Sequence, residues 1–240
     1  NERIEMIKKA KKISKEIYHP PTDFLKKVGI KFVGDNPNLN KLLWNAYSDH
    51  NLEQMKLLLQ YGANPNSRNE NGDTLLLAAT NDSNINAIDL LCLFGVNPDK
   101  QSKNTKKCPL YNAIVNTKID VIVALIMNGA NLYSIDDNHN SAYHIAIQNK
   151  KNEIVKLFIQ YGLDINCKND EGKTPLHIAI ELNNVDICNL LISSGALINI
   201  SDNNNITPRD LATRSGNGSI IQLLFKSKTE TIDPRLVVHQ

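Results

Sequence analysis

The sequence lacks the long apolar segments that membrane proteins need. No apolar run in its 240 residues approaches the roughly 18 residues that span a bilayer. It also lacks an excess of either charge, because 27 lysines and arginines are balanced by 25 acidic residues. Such a balance gives no polycationic field for nucleic acid. We therefore expect no transmembrane helix, no membrane partner and no nucleic-acid partner.

Cysteine pairs and catalytic motifs are missing as well. The four cysteines, Cys92, Cys108, Cys167 and Cys188, form no CxxC pair. They are predicted to be reduced thiols, which excludes a secreted disulfide scaffold and favours a cytoplasmic location. The six histidines show no HExxH or other metal-ligand spacing. No phosphate loop, GxSxG elbow or dinucleotide fingerprint occurs, so we predict no catalytic residue, no metal and no cofactor.

Asparagine and isoleucine are the residues in excess. The sequence has 33 Asn and 27 Ile but only 11 Gly and one Trp. Because codons for Asn, Lys and Ile are rich in A and T, a genome of low G+C content explains this bias. Hydrophobic residues make up 41% of the sequence, which is enough to form a core. The first residue is Asn1 rather than Met, and we expect the chain to be a piece of a longer protein or a processed product.

A repeat of 33 or 34 residues runs through most of the sequence. One landmark is a glycine that follows an apolar helical stretch, and the other is an alanine with the same period. Two landmarks that share one period indicate about six copies of a single structural unit. The glycines are Gly62, Gly95, Gly129, Gly162 and Gly195, and the alanines are Ala46, Ala79, Ala113, Ala146, Ala179 and Ala212.

The fifth copy shows the internal pattern most clearly. Thr174 and Pro175 predict the N-cap and the first position of a helix. Asn183 and Asn184 predict a break, after which a second helix ends at Gly195. One helix pair of this size cannot bury its own apolar face, so neighbouring pairs must stack. The sequence therefore predicts an all-α solenoid of helix-turn-helix units.

The same copy carries a family resemblance. Residues 174–179 read TPLHIA and match the ankyrin-repeat signature TPLHxA, while residues 194–199 resemble its closing segment. The other copies match more loosely, and the resemblance covers about residues 36–228. It implies an ankyrin-repeat α-solenoid with β-hairpin-type turns between the repeats.

Two histidines occupy the fourth place of the signature. The resemblance implies that the imidazoles of His144 and His177 hydrogen-bond within and between repeats. Ser141 and Thr174, three residues earlier, are the matching hydroxyl partners. We therefore expect these histidines to have a structural role rather than a catalytic one.

The ends of the sequence depart from the repeat. Within residues 1–35, an isoleucine or alanine recurs every three or four residues from Ile4 to Ile17 among lysines, which predicts a helix. We expect this segment to cap the first repeat, and the alternatives are the stub of an upstream domain or an interfacial membrane helix. The predicted domains are thus residues 1–35, the repeats at 36–228 and a tail at 229–240. The third copy lacks a turn glycine between Lys103 and Lys107, which predicts an irregular turn.

The resemblance also implies a function in protein recognition. Ankyrin arrays usually hold a partner on a concave side lined by the turns and the first helices, and have no chemistry of their own. We expect a monomeric chain that binds a protein or peptide, with basic groups, because the matching positions are rich in amides and carboxylates. These positions are Asn71, Asp73, Asp82, Asn104, Lys107, Asn116, Asp137, Asn138, Asn140, Gln148, Asn149, Asp170, Glu171, Lys173, Glu181 and Leu182.

Two alternative functions fit the same sequence. In one, the chain is the substrate-recruiting part of a larger enzyme, such as an effector that an intracellular bacterium delivers into the host cytosol. In the other, it is an adaptor subunit of a ubiquitin-ligase-type assembly. The tail from Thr229 to Gln240 contains no recruitment box, which counts against the adaptor. The full-length reading frame distinguishes these alternatives from simple recognition.

Overall fold

The computed structural model describes residues 37–133 and 135–229. Within these ranges the chain forms twelve helices and no β-strand, with one isolated β-bridge between Arg68 and Thr74. This confirms the predicted all-α class of helix-turn-helix repeats. The predictions for residues 1–35 and for the tail lie outside the described residues, except that Thr229 is the last residue of the final helix.

The chain divides into two compact parts, and the first comprises the described residues up to 113 together with 118–131. Within it the two helices of a repeat pack on each other, and the second helices of successive repeats lie side by side. Leu43, Ile88 and Leu125 are fully buried in its core. Its helices are α1 (Pro37–Ser48), α2 (Leu52–Gln60), α3 (Leu75–Asn81), α4 (Ile85–Leu93) and α6 (Ile119–Met127), and α5 (Pro109–Val115) begins there.

The second part comprises residues 114–117, 132–133 and 135–229. Here α7 packs on α8 and α9, and α9 packs on α10 and α11, while α12 covers α10. Tyr143 and Phe158 are the largest side chains that are fully buried in this part. Its helices are α7 (Ala142–Gln148), α8 (Asn152–Gln160), α9 (Pro175–Glu181), α10 (Val185–Ser193), α11 (Pro208–Ser215) and α12 (Gly218–Thr229).

The helices begin where the capping residues predict. Thr174 is the N-cap of α9 and Pro175 follows it, as predicted. The second helices of four repeats follow an asparagine whose side-chain oxygen accepts the amide hydrogen three residues later, which satisfies an otherwise unpaired N–H. These asparagines are Asn51, Asn84, Asn184 and Asn217.

A short loop, here called a finger, precedes each first helix from α3 onward. Each finger is numbered by the repeat that it opens, so the fingers before α3, α5, α7, α9 and α11 are the second to the sixth. The irregularity predicted for the third finger is not seen, because Lys106 takes the left-handed conformation (φ 56°) that glycine takes in the second and fifth fingers and His139 takes in the fourth. A main-chain hydrogen bond of 3.0 Å from Ser102 to Lys107 closes this finger. The sequence did not reveal that the fourth finger, closed from Ile135 to Asn140, has the same longer span.

Thr174 and Cys108 occupy the same register position in two repeats and give a paired stability test. We expect Thr174→Val to cost about 1–2 kcal/mol, because the buried hydroxyl that contacts the His177 ring at 2.8 Å is lost. The Cys108 thiol accepts the Tyr111 amide hydrogen over a long distance of 3.4 Å. Cys108→Ser is expected to be neutral or stabilising, because a serine hydroxyl is a stronger N-cap acceptor than a thiol. Urea unfolding followed by circular dichroism measures both. Equal destabilisation would contradict the register.

Candidate interaction surface

Five fingers project between the repeats, and each is closed by one main-chain hydrogen bond. The bond runs from an N–H at the start of the finger to a carbonyl just before the N-cap of the next helix. Its length is between 2.8 and 3.1 Å in all five. The donor and acceptor residues are Asn69 and Asp73, Ser102 and Lys107, Ile135 and Asn140, Asn169 and Lys173, and Asp202 and Ile206.

In the second part, consecutive fingers are joined at their tips. The Asp170 N–H donates to the Asn138 carbonyl at 3.2 Å, and the Asn203 N–H donates to the Glu171 carbonyl at 3.0 Å. The side-chain amide of Asn203 also donates to the Asp170 carbonyl at 2.7 Å. The tips of the fourth, fifth and sixth fingers therefore form one hydrogen-bonded row.

The second and third fingers of the first part are joined in the same way. The Lys103 N–H donates to the Gly72 carbonyl at 3.1 Å, and the Asn104 side-chain amide donates to the Asn71 carbonyl at 2.6 Å. The ammonium of Lys107 lies 4.7 Å from the centre of the Tyr111 ring, within cation–π range. The tip of this pair therefore presents lysines, whereas the row in the second part presents carboxylates.

The exposed charges of the second part are held in position by ion pairs. The His139 ring nitrogen Nδ1 lies 2.9 Å from the Asp170 carboxylate, which raises the pKa of that imidazole. The Lys173 ammonium bridges two carboxylates, lying 2.7 Å from Glu171 and 2.9 Å from Glu181. These two contacts raise the pKa of Lys173. The bridge fixes the fifth finger against the end of α9.

Most of the residues predicted for partner binding lie at the surface, and three of them make internal hydrogen bonds in addition to the finger contacts and ion pairs described above. Asn140 is buried, and its amide bonds to Asp136 and Asn169. Asp82 accepts a hydrogen bond from the hydroxyl of Tyr47. Asn149 is half-buried, and its amide donates to the Ile145 carbonyl at 2.8 Å. The exposed members are Asn71, Asn104, Lys107, Asn116, Asp137, Asn138, Gln148, Asp170, Glu171, Glu181 and Leu182, and Asp73 and Lys173 are half-buried.

Several residues of the row were not among the predicted positions. His139 and Asn203 are both exposed, and both connect neighbouring fingers. The partner of each lies 31 to 33 residues away, about one repeat. A search for polar residues that recur at the repeat period near the turn would have found them.

A buried serine–histidine contact lies beneath the fingers. The Cys167 thiol donates to the Ser141 hydroxyl at 3.1 Å, and that hydroxyl lies 2.7 Å from the Nδ1 atom of His144. Ser141 and His144 are both fully buried, so no substrate can reach them. Burial also raises the pKa of the Cys167 thiol, which opposes thiolate formation. This contact holds repeats together, in agreement with the expected structural role.

The remaining cysteines are buried inside the helical core. Cys92, Cys108 and Cys188 are all less than a tenth exposed, and burial raises the pKa of Cys188 to about 12. In residues 37–133 and 135–229, no three His, Cys, Asp or Glu side chains are placed to hold a metal ion. None of the helices described is long and apolar enough to cross a membrane.

Comparisons with known proteins agree with this architecture. The family model for ankyrin repeats matches three overlapping segments, residues 42–136, 118–202 and 143–235. The chain is 28% identical in sequence to an ankyrin repeat domain from Acinetobacter baumannii AYE, and it matches the crystal structure of that domain with a TM-score of 0.64. The match covers 78% of this chain and 97% of that one. Another solved ankyrin repeat protein is 24% identical with a TM-score of 0.63, covering 78% of this chain and 98% of its own, and supports the fold alone. No curated protein matches the chain. The chain belongs to the ankyrin-repeat family, whose members are generally non-catalytic modules that bind other proteins.

Proposed function

We propose that the chain binds a partner protein through the finger tips of its second part and performs no catalysis itself. The observation that supports this is the row of fourth, fifth and sixth fingers, whose tips are joined by main-chain bonds and whose Asp170 and Glu171 carboxylates are paired with His139 and Lys173 before any partner arrives. A surface fixed in advance loses little conformational entropy on binding, so more of the contact energy contributes to affinity.

The partner that fits this row is a protein segment with basic side chains. Asp137, Asp170 and Glu171 are exposed carboxylates at adjacent tips, and each can accept bonds from lysine or arginine. The nearby side chain of Leu182, which is 43% exposed, offers an apolar contact at the end of α9. An interface of about 800 Å² on each partner would extend over several repeats. Large aromatic anchors are scarce here, so a moderate affinity is expected.

The binding test uses side chains that keep their shape but lose their charge. The partner is isolated by affinity purification on the whole chain, and its Kd is measured by calorimetry. The triple variant Asp137→Asn, Asp170→Asn, Glu171→Gln is expected to raise Kd about tenfold, since three surface charge contacts of roughly 0.5 kcal/mol each sum to about 1.5 kcal/mol. Its affinity should also depend less on salt.

The matched control removes exposed charges from the second helices instead. Glu153 and Asp186 are exposed on α8 and α10, away from the fingers. The variant Glu153→Gln, Asp186→Asn is expected to bind the partner with unchanged Kd. Normal binding by the triple variant, or an equal loss in both variants, would refute the finger surface.

The remaining assignments are part of the same proposal. The repeats occupy residues 36–228, residues 1–35 cap the first repeat, and residues 229–240 form a tail. The chain acts as a cytoplasmic monomer. A role as the recruiting part of a larger enzyme, or as a ubiquitin-ligase adaptor, would use the same surface, and the full-length reading frame decides between them.

A further inference from the structure

Two buried imidazoles connect consecutive repeats of the second part. The Nδ1 atom of His144 lies 3.2 Å from the main-chain nitrogen of Ser141, and its Nε2 atom lies 2.9 Å from the Lys173 carbonyl oxygen. In the next repeat, Nδ1 of His177 lies 3.0 Å from the main-chain nitrogen of Thr174. Its Nε2 atom lies 3.0 Å from the carbonyl oxygen of Ile206. Each ring thus joins the N-cap of its own helix to the finger of the following repeat.

These contacts fix the protonation state of both rings. A main-chain N–H can only donate, so Nδ1 must accept and cannot carry a hydrogen. A carbonyl oxygen can only accept, so Nε2 must carry one. Only the neutral imidazole with its hydrogen on Nε2 satisfies both partners. The charged form, with hydrogens on both nitrogens, could direct its Nδ1 hydrogen only to the neighbouring Ser141 or Thr174 hydroxyl, and it would leave the buried main-chain N–H unpaired.

The carbonyls that the rings hold are the ones that close the fingers. The Lys173 carbonyl also accepts the Asn169 N–H at 3.1 Å and closes the fifth finger. The Ile206 carbonyl accepts the Asp202 N–H at 2.9 Å and closes the sixth. A ring that leaves its carbonyl therefore releases the base of the next finger from the preceding repeat.

We propose that His144 and His177 make the fifth and sixth fingers acid-sensitive, because a proton on Nδ1 opposes the N-cap N–H and detaches the ring from the finger it holds. This acid sensitivity depends on the geometry of the second part and does not rest on the identity or existence of the proposed partner. It gives mild acid a direct effect on the finger row.

The charges around the two rings set the balance. Burial lowers the pKa of His144, and His177 adds to this effect, while the Lys173 carbonyl and Asp136 oppose it. Burial likewise lowers the pKa of His177, assisted by Lys168 and opposed by the Ile206 carbonyl, Asp202 and Glu181. In both cases the folded pKa lies below 6.5, the ordinary value of histidine. A ring that has left its carbonyl takes up a proton more readily than the same ring in the closed finger. The closed finger therefore loses stability as pH falls through about 6.5 and below.

The first part provides an internal reference. The positions equivalent to His144 and His177 are Trp44, Leu77 and Tyr111, and none of them is an imidazole. In the last repeat Asp210 takes the place, and its carboxylate accepts the N–H of Thr207 at 3.0 Å. Acid should therefore loosen the fifth and sixth fingers and leave the second and third unchanged.

Hydrogen exchange followed by mass spectrometry on the whole chain tests this difference. Protection of the finger amides is measured at pH 7.5 and 5.5 and corrected for the intrinsic exchange rate. Protection in the fifth and sixth fingers is expected to fall by up to about tenfold for each ring released, as linkage to one group of pKa near 6.5 requires. Protection in the second and third fingers should stay constant. Constant protection in all fingers, or an equal loss in all of them, would overturn the proposal.

Two single variants connect each finger to its own ring. Asparagine keeps an acceptor near the N-cap, much as Asp210 does, but it cannot take up a proton. His144→Asn should abolish the pH dependence of the fifth finger only, and His177→Asn that of the sixth only. If protection of a finger still falls with pH in the variant that lacks the ring of that finger, the mechanism is wrong, even if the substitution also changes the stability of the protein.

The ring nitrogens give an independent readout. Nitrogen-15 spectra of the intact protein at pH 6 should show His144 and His177 as neutral rings with the hydrogen on Nε2. The exposed His139, whose pKa Asp170 raises, should titrate at higher pH than either. If the neutral ring of His144 or His177 carries its hydrogen on Nδ1, the assigned tautomer is wrong.

Discussion

Replacing Gly172 by alanine is expected to destabilise the second part by about 3–4 kcal/mol, although the change adds only one methyl group. Gly172 has φ 72°, where a residue with a Cβ is strained by about 1–2 kcal/mol. An added Cβ would also lie 2.8 Å from the main-chain nitrogen of Asn203, which must move. That movement breaks the two hydrogen bonds from Asn203 to the fifth finger, each worth about 1 kcal/mol.

Other glycines of the chain separate the strain from the clash. Gly162 has φ 68° and no heavy atom within 4 Å of an added Cβ, so Gly162→Ala should cost only the strain. At Gly72 the close atom, 2.8 Å away, is the Cβ of the Lys103 side chain, and an intermediate loss is expected. Urea unfolding of the three variants gives the ranking. Equal losses at Gly172 and Gly162 would show that the fingers do not depend on the Asn203 contacts.

The helices could be predicted from the sequence because their determinants are local. Thr174 and Pro175 start a helix in any context that permits one, and Gly195 ends one. The repeat multiplied this evidence, since each landmark recurred at the same spacing. Finger length was predicted less well. The fourth finger is one residue longer than the fifth, but the turn before it is one residue shorter, so the repeat length stays at 33 and conceals both changes.

The asparagines show a second limit of sequence interpretation. Their number was attributed to base composition, yet many have defined structural roles. Asn184 caps α10, and the side-chain oxygen of Asn166 accepts the Leu197 N–H across one repeat, at 2.8 Å. Asn66 makes the same kind of bond to the next repeat in the first part, where its side-chain oxygen accepts the Asn97 N–H at 3.0 Å. Such bonds are visible only when residues one repeat apart are compared as partners, because neither residue alone indicates the contact.

The candidate surface was predicted by register, and register does not fix which way a side chain turns. Lys107, Asn140 and Lys173 occupy equivalent positions, just before an N-cap residue. The long side chain of Lys107 reaches solvent, whereas the short amide of Asn140 turns inward to Asp136 and Asn169. Lys173 is as long as Lys107, yet its side chain is only 19% exposed because it pairs with Glu171 and Glu181, so the neighbouring side chains decide between these outcomes. The exposed positions followed from the sequence, but the hydrogen bonds that organise them did not.

Replacing Phe158 by alanine is expected to cost about 3–5 kcal/mol, which is enough to unfold the second part at moderate temperature. Phe158 is fully buried in α8, and its ring meets the ring of Tyr143 edge-on, with centroids 5.6 Å apart and planes at 83°. The substitution leaves a cavity between α7 and α8 and removes an aromatic contact worth about 0.5–1.5 kcal/mol. Since repeats depend on their neighbours, α9 should lose protection together with α7.

Phe225 provides the matched control, because it is the same residue type on another second helix of the same part. Its side chain is 64% exposed on α12, so Phe225→Ala should change stability by about 0.5 kcal/mol or less.

Thermal unfolding of both variants gives the difference in stability, and hydrogen exchange shows in which residues protection is lost. The Phe158 variant should lose protection first in residues 142–160, while residues 85–113 and 118–127 keep theirs, because these lie in the other compact part. A loss of equal size in both sets would mean that the whole array unfolds as one cooperative unit. An equal cost for Phe225→Ala would mean that α12 buries its aromatic side chain as deeply as α8 does.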